Sequence, residues 1–448
     1  MASQFTFDPN RCTGCEACVV ACWMENRERQ SRPWRAVHTF NAFGHPDLPV
    51  FHLSLACHHC ESPACLENCP AAAYTKDPVT GAVTLHTDRC MGCRYCTWAC
   101  PHDAPKFNDQ AGTIEKCTFC PERAAQGLEP ACVARCPVEA LGIEVREPSA
   151  GSTFPGIPPS TTRPGIRIVP LRRDAPPELG FAPPAAVLAP FLDRALAVPE
   201  PKITLRAEWG LVVFTTVFAV LAACLGASVL GGPRLPAGAF LGAGLAALAL
   251  AASHLGRPSR AWRAGLNLAT SWLSREVILT SAFLGVGGLH LLGALPGPAW
   301  GGLAAMLGFA TLFTIDRIYR VALKMGPWNL HSAHVLFNGL YLLGLLAGIW
   351  PLALVLGALK LGLFLHRKRH FTRQGRPVRF VAFTLRVVLG FAVPALMVAW
   401  SPVMAGLCAA LGDLLDRCEY YADLEIPTPV GHLATAFRTR LDRPSPTP

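Results

Sequence analysis

The chain has 448 residues, a formal net charge of +10, 51% hydrophobic residues and nineteen cysteines. That length allows two or three domains. The basic residues cluster between apolar runs, a pattern of membrane topology rather than of a nucleic-acid surface. Met1 to Pro9 hold no apolar stretch and no twin arginine, so no signal peptide is expected there.

Between residues 12 and 136, sixteen cysteines fall into four groups of four: Cys12, Cys15, Cys18, Cys22; Cys57, Cys60, Cys65, Cys69; Cys90, Cys93, Cys96, Cys100; and Cys117, Cys120, Cys132, Cys136. Groups one and three have the spacing C-x2-C-x2-C-x3-C, and Pro70, Pro101 and Pro137 follow the last cysteine of groups two to four. In the bacterial ferredoxin run, three closely spaced thiolates hold one iron–sulfur cluster and the fourth reaches a neighbouring one. Zinc does not need a third thiolate two residues after a Cys-x2-Cys knuckle. A disulfide framework suits a short secreted domain better. The arithmetic therefore predicts four [4Fe–4S] clusters.

Phe5-Thr6-Phe7 precedes group one and Leu141–Val145 follows group four, and both read as strands. Ala73–Lys76 and Val83–His86 flank Asp77-Pro78-Val79-Thr80-Gly81, a hairpin turn that links groups two and three. The outer strands are left to pair with each other, which brings group four beside group one. With the fourth cysteine crossing over, the expected sets are Cys12, Cys15, Cys18 with Cys136; Cys22 with Cys117, Cys120, Cys132; Cys57, Cys60, Cys65 with Cys100; and Cys69 with Cys90, Cys93, Cys96. The competing pairing joins group one with two and three with four.

The runs CTGCEAC, CHHC, CMGCRYC and CTFC, in this order, resemble the four-cluster electron-transfer subunit of the dimethyl sulfoxide reductase family of molybdopterin oxidoreductases. TTRPGIRIVP at 161–170 is similar to the tail of such subunits. The expected fold is an α+β ferredoxin-like domain over 1–146. Residues 147–203 hold Pro155, Pro158, Pro159, Pro176, Pro177, Pro183 and Pro184, and read as an extended linker or a strap across a partner surface.

Residues 204–421 read as an all-α polytopic membrane domain, and 422–448 as a C-terminal tail. Eight apolar runs can span ~30 Å as helices: about 208–230, 236–256, 272–294, 298–316, 332–349, 350–366, 379–398 and 400–416. Arg257, Arg260, Arg263, Arg317, Arg320, Lys324, Arg367, Lys368, Arg369, Arg373, Arg376 and Arg417 fall at one set of ends, and only Arg234 at the other. That bias places the cluster domain on the cytoplasmic side of the inner membrane, unless an exported partner carries it across.

His254 in HLGRP and Arg275-Glu276 in SWLSRE lie either side of a short basic hairpin and should converge. A quinol must lose two protons with its two electrons, and a carboxylate or imidazole within hydrogen-bond reach can accept them. Both motifs resemble the quinol-binding region of the dimethyl sulfoxide reductase membrane anchor, and LGDLLDRCEYY at 411–421 resembles that anchor's last helix. The resemblance makes His254 and Glu276 the proton-handling candidates, with Arg257 and Arg275 supporting. A structural Arg275–Glu276 ion pair is the plainer alternative. Haem would need a second axial histidine at matching depth, such as His334, and is not expected. Cys224, Cys408 and Cys418 read as packing residues. Asp316, Lys360 and Arg386 have no visible mate.

The implied protein joins an electron wire and a membrane anchor in one chain. It would oxidise menaquinol or another quinol from the membrane pool and pass electrons to a separate catalytic subunit carrying a molybdenum bis-pterin cofactor. Two alternatives stand beside it. One is a polysulfide, thiosulfate or tetrathionate reductase module. The other is a cluster-driven ion-translocating protein, which would want acidic or lysine residues at mid-bilayer on several helices.

Overall fold

The computed structural model describes residues 2–42, 49–145, 154–172, 202–321, 330–373, 378–424 and 426–441. The readings placed on Pro176, Pro177, Pro183, Pro184, Lys324 and Arg376 fall outside the described residues. The chain divides into two units, residues 1–201 with 426–448, and residues 202–425.

The first unit is built on short hairpins. β1 (Ser3–Phe7) pairs antiparallel with β8 (Leu141–Val145), Phe5 opposite Ile143. β9 (Ile166–Ile168), inside the TTRPGIRIVP stretch, adds to β1 in parallel. β2 (Ala36–Phe40) pairs with β3 (Phe51–Leu55), β4 (Tyr74–Lys76) with β5 (Val83–Leu85), and β6 (Lys106–Asn108) with β7 (Thr113–Glu115). The β4–β5 turn is set by Asp77, whose Oδ1 accepts the N–H groups of Val79 at 2.7 Å and Thr80 at 3.0 Å. These bonds favour the ionised carboxylate and hold its pKa below the usual range. Between the strands lie α1 (Ala17–Asn26) and four one-turn helices, α2 (Ala64–Glu67), α3 (Tyr95–Ala99), α4 (Pro121–Ala124) and α5 (Ala131–Ala134).

The second unit is helical. Its elements are α6 (Leu205–Val229), α7 (Ala237–Ala252), a 3-10 segment (Pro258–Gly265), α8 (Trp272–Leu291), α9 (Pro298–Ile318), α10 (Val335–Leu346), α11 (Trp350–Arg373), α12 (Phe380–Val387), a π-helical turn (Val388–Ala392), α13 (Val393–Met397) and α14 (Pro402–Asp423). The central helix is α6, which packs on α7, α9, α10 and α14. Leu205–Val229, Pro298–Val321, Trp350–Arg373 and Phe380–Met397 are long and apolar enough to cross a membrane. The others are shorter or more polar than the runs suggested. At ~1.5 Å per residue the twelve residues of α10 reach only ~18 Å. By contrast α14 continues to Asp423, because its polar residues Asp413, Asp416 and Arg417 are buried in the unit.

The start of α10 explains Asp316. From α9, Asp316 Oδ1 accepts the N–H of Val335 at 2.9 Å and Oδ2 that of Leu336 at 3.0 Å. A carboxylate from a neighbouring helix thus caps a helix N-terminus that a membrane interior would leave unsatisfied. Asp316→Ala is expected to cost about 1–2 kcal/mol, the worth of a good cap. A lower thermal midpoint of the detergent-solubilised protein is the measurement.

The last helix, α15 (Pro429–Leu441), belongs to the first unit, where a plain tail was expected. Leu433 and Phe437 pack on Phe40 and Phe51 of the β2–β3 hairpin. Phe40 stacks on Phe51 at 4.8 Å, and Phe437 meets Phe40 edge-on at 5.4 Å. His432 Nδ1 accepts the Gly156 N–H at 2.9 Å.

Candidate functional site

The cysteines of the first unit line four cavities. Cys12, Cys15, Cys18 and Cys136 line the first; Cys22, Cys117, Cys120 and Cys132 the second. Cys57, Cys60, Cys65 and Cys100 line the third; Cys69, Cys90, Cys93 and Cys96 the fourth. Each C-x3-C step straddles a helical turn on or beside α1, α2, α3 or α5, which separates its two cysteines by ~6 Å and delivers them to adjoining cavities. That joins the first cavity to the second and the third to the fourth. The second and third meet where Cys22, Cys117, Cys57 and Cys100 pack with Trp34. The cavities therefore stand in a row.

The loops are coiled by left-handed residues, Gly14 and Glu16 in the first run, Gly92 and Arg94 in the third. At Gly14, with φ +72°, an added Cβ would lie 2.7 Å from the His52 imidazole. Cys69 Sγ accepts the Ala73 N–H at 3.4 Å, and Cys136 Sγ that of Ala140 at 3.2 Å. Among the described residues no three Cys, His or carboxylate side chains converge as they would on a single metal ion. Four thiols standing apart around each hollow fit a polynuclear cluster, whose ligands are all cysteine. Burial pushes the Cys65, Cys96 and Cys117 thiols well above their usual range, and Cys22 up to about 11. Taking the thiolate form there needs a nearby positive charge, which iron supplies, with release of protons.

Two buried cations lie between cavities. Arg35, 3% exposed, donates from Nη1 to Ser54 Oγ at 3.0 Å, and Ser54 Oγ in turn meets Cys18 Sγ at 3.3 Å. Its charge faces Cys132, Cys18, Cys117 and Cys22, at the junction of the first two cavities. Lys116, 2% exposed, donates to the carbonyl oxygens of Val83 and Cys117, and its charge faces Cys57, Cys65 and Cys117, at the second and third. His58 and His102 also line the third cavity. Burial pushes His58 well below its usual range and His102 down to about 4, so both are neutral near pH 7. His102 Nε2 meets Thr162 Oγ1 at 3.1 Å, which ties the TTRPGIRIVP stretch to this cavity. The phenol of Tyr74 faces Cys96, Cys65 and Cys69 at the third and fourth. None of these side chains was singled out from the sequence. A lone Lys next to a cysteine, or an Arg between strands, carries no spacing signal.

In the second unit, His254 sits in the bend after α7, and Arg257 at the N-terminus of the 3-10 segment. That segment packs on α8, with Gly265 against Ile278. Ser271 caps α8, its Oγ accepting the Ser274 N–H at 3.4 Å. Glu276 lies one turn further on and is 7% exposed. Arg275 turns into the preceding loop, with Nε donating to Leu268 O at 2.9 Å and Nη2 to Ala269 O at 2.6 Å. Its guanidinium lies 4.4 Å from the Trp272 ring, which Arg317 of α9 approaches to 4.8 Å. Arg275 is thus committed to loop carbonyls and an aromatic face.

Comparison with known proteins gives both units relatives. A family described as a 4Fe-4S dicluster domain matches residues 48–146, and one described as the DMSO reductase anchor subunit (DmsC) matches 237–368. A component of the anaerobic dimethyl sulfoxide reductase of Escherichia coli (strain K12) is 38% identical over 151 residues, 32% of this chain and 73% of the relative. The corresponding component from Haemophilus influenzae is 32% identical over 181 residues, 37% of this chain and 88% of the relative. A component of the tetrathionate reductase of Salmonella typhimurium is 39% identical over 131 residues, 29% of this chain and 52% of the relative. With a [4Fe–4S] electron-transfer domain and a membrane-anchor domain on one polypeptide, the protein belongs to the family of dimethyl sulfoxide reductase iron–sulfur subunits.

Proposed function

We propose that this chain oxidises a quinol, menaquinol or a close relative, and conducts its electrons to a separate catalytic subunit of an anaerobic respiratory complex. The observation that carries this reading is the row of four cysteine-lined cavities on a chain that also has a DMSO reductase anchor domain. Each cavity would hold one [4Fe–4S] cluster, and the clusters when bound accept and pass on single electrons. The protein's own part is to hold each set of thiolates and to exclude water.

In the membrane unit, Glu276 Oε accepts one proton as the quinol is oxidised, and His254 is the candidate for the other. Arg257 and Arg275 position the loop between them. The names of the relatives suggest a partner that reduces a sulfoxide, and the resemblance of the cysteine runs implies that it carries a molybdenum bis-pterin cofactor. The match of residues 237–368 to the DMSO reductase anchor family favours this over a tetrathionate reductase. Eight crossings would follow if α7 and α10, too short as helices, were completed by the residues that flank them and joined the four long apolar helices and the two remaining stretches. Residues before 202 and after 425 group into one unit, and an even number of crossings would keep both on one side of the membrane. The arginine bias assigns that unit to the cytoplasm.

The purified chain is expected to contain about sixteen iron and sixteen sulfide, four for each cluster. Iron near eight, or zinc in quantity, would sink the reading. Cys96→Ala should remove the low-temperature paramagnetic signal of the fourth cavity and leave that of the first.

A further inference from the structure

His58 follows Cys57 in the CHHC run, lines the third cavity and is 2% exposed. Neither of its ring nitrogens has a hydrogen-bond partner among the described residues. The histidines around it are provided for. His59 Nδ1 accepts the Val83 N–H at 2.9 Å, and His102 Nε2 meets Thr162 Oγ1 at 3.1 Å. The His58 ring is held by other means. It lies tilted against the His102 ring, with centroids 4.6 Å apart, and the His58 carbonyl oxygen accepts the Gly165 N–H at 2.9 Å.

A neutral imidazole carries one N–H, on Nδ1 or on Nε2. At His102 the free nitrogen can be the bare one, with Nε2 carrying the hydrogen toward Thr162. At His58 both nitrogens are free, so the N–H is unpaired in either tautomer. Buried donors without an acceptor are costly, and native proteins hold few of them. The acceptor that His58 lacks therefore belongs in the hollow that its ring lines. Cys57, Cys60, Cys65 and Cys100 border the same hollow, and the cluster that fits it brings sulfur atoms that accept hydrogen bonds.

We propose that His58 donates its N–H to a sulfur of the third cluster, thiolate or sulfide, and so sets that cluster's potential apart from those of its neighbours. The inference rests on the third cavity holding a cluster. A donor to cluster sulfur stabilises the reduced, more negative form and raises the potential. Lys116 does not draw the same distinction. Its charge faces Cys57 and Cys65 of the third cavity and Cys117 of the second, so it moves both potentials together. His58 lines the third cavity alone and moves the difference between them. Among the described residues, no imidazole lines the other three cavities.

The test is a redox titration of the full complex followed by paramagnetic resonance. The third cluster's signal is identified as the one that Cys60→Ala removes. His58→Phe keeps an aromatic ring against His102 and removes the donor. The equilibrium constant for reducing the third cluster is expected to fall roughly tenfold, the worth of a hydrogen bond, which for one electron is a fall of about 59 mV. The other three potentials should stay in place. His58→Asn and His58→Gln return an N–H near the places of Nδ1 and Nε2, and one of them should recover most of the shift. With histidine ring nitrogens labelled by the heavy isotope, the third signal should carry a nitrogen coupling that His58→Phe loses and His102→Val keeps. An unmoved third potential, equal shifts in all four, or recovery by neither amide would overturn the proposal and leave the proposed function intact. If no His58 variant assembles the third cluster, the coupling decides. Present in both wild type and His102→Val, it sustains the proposal; absent from either, it overturns it. A chain in which Cys60→Ala removes no signal has no third cluster, and both readings fall.

Discussion

Glu276→Gln is expected to lower quinol oxidation by roughly two to four orders of magnitude, the usual worth of a positioned acid–base group. The substitution keeps size and hydrogen bonding and removes the base. Electron delivery from an artificial donor that reduces the clusters directly should survive, because that route bypasses the membrane. Yield should also survive. If Glu276 served only to pair Arg275, its loss would leave a bare guanidinium, lower the folded protein and cut both activities together. The geometry argues against that outcome, since Arg275 is held by the carbonyls of Leu268 and Ala269 and by the Trp272 ring. Rates with quinol and with the artificial donor, side by side on the same preparation, decide it. A normal yield with undiminished quinol oxidation would remove Glu276 from the mechanism.

Lys116→Met should lower the reduction potentials of the clusters in the second and third cavities and leave the first and fourth nearly unmoved. A fixed positive charge favours the reduced, more negative form of a cluster. At a separation of ~8 Å and an effective dielectric of ~20, a unit charge is worth about 2 kcal/mol. For a one-electron step that is on the order of 90 mV. Met fills the same slot without leaving a charge unpaired. With Arg35 at one junction, Lys116 at the next and the neutral Tyr74 phenol at the third, these side chains alone favour the highest potential in the second cavity and the lowest in the fourth. A redox titration followed by paramagnetic resonance reads the shifts. Equal shifts in all four, or a rise, would refute the assignment.

The parts of the fold that were legible in the sequence are those written in spacing. The cysteine runs, the Asp77–Gly81 turn and the flanks of β1 and β8 depend on local chemistry, and pattern reading reaches them. Other parts depend on residues far apart in the chain. The β2–β3 hairpin lies on AVHTF and FHLSL; the second alternates apolar and polar residues, which pattern reading could have found and did not. Nothing in the sequence near Val335 says that Asp316, nineteen residues earlier, starts α10. Likewise α14 outruns its apolar stretch because Arg367 and Arg386, on other helices, neutralise its carboxylates. Lys360 had no visible mate for the same reason. Its partner is fifty-three residues away.

The docking of α15 on the β2–β3 hairpin also sets an order of events during synthesis. Phe40 and Phe51 leave the ribosome before the membrane helices are made, and their covering residue Phe437 leaves after them. At ~5–20 residues per second, the intervening chain of nearly 390 residues takes on the order of 20–80 s to make. Through that interval, while the membrane helices are being inserted, the hairpin presents a bare aromatic face that a chaperone or a partner subunit can hold. The cluster-bearing unit reaches its final form only after the helices of the second unit have been made, so completion of the wire waits on the anchor.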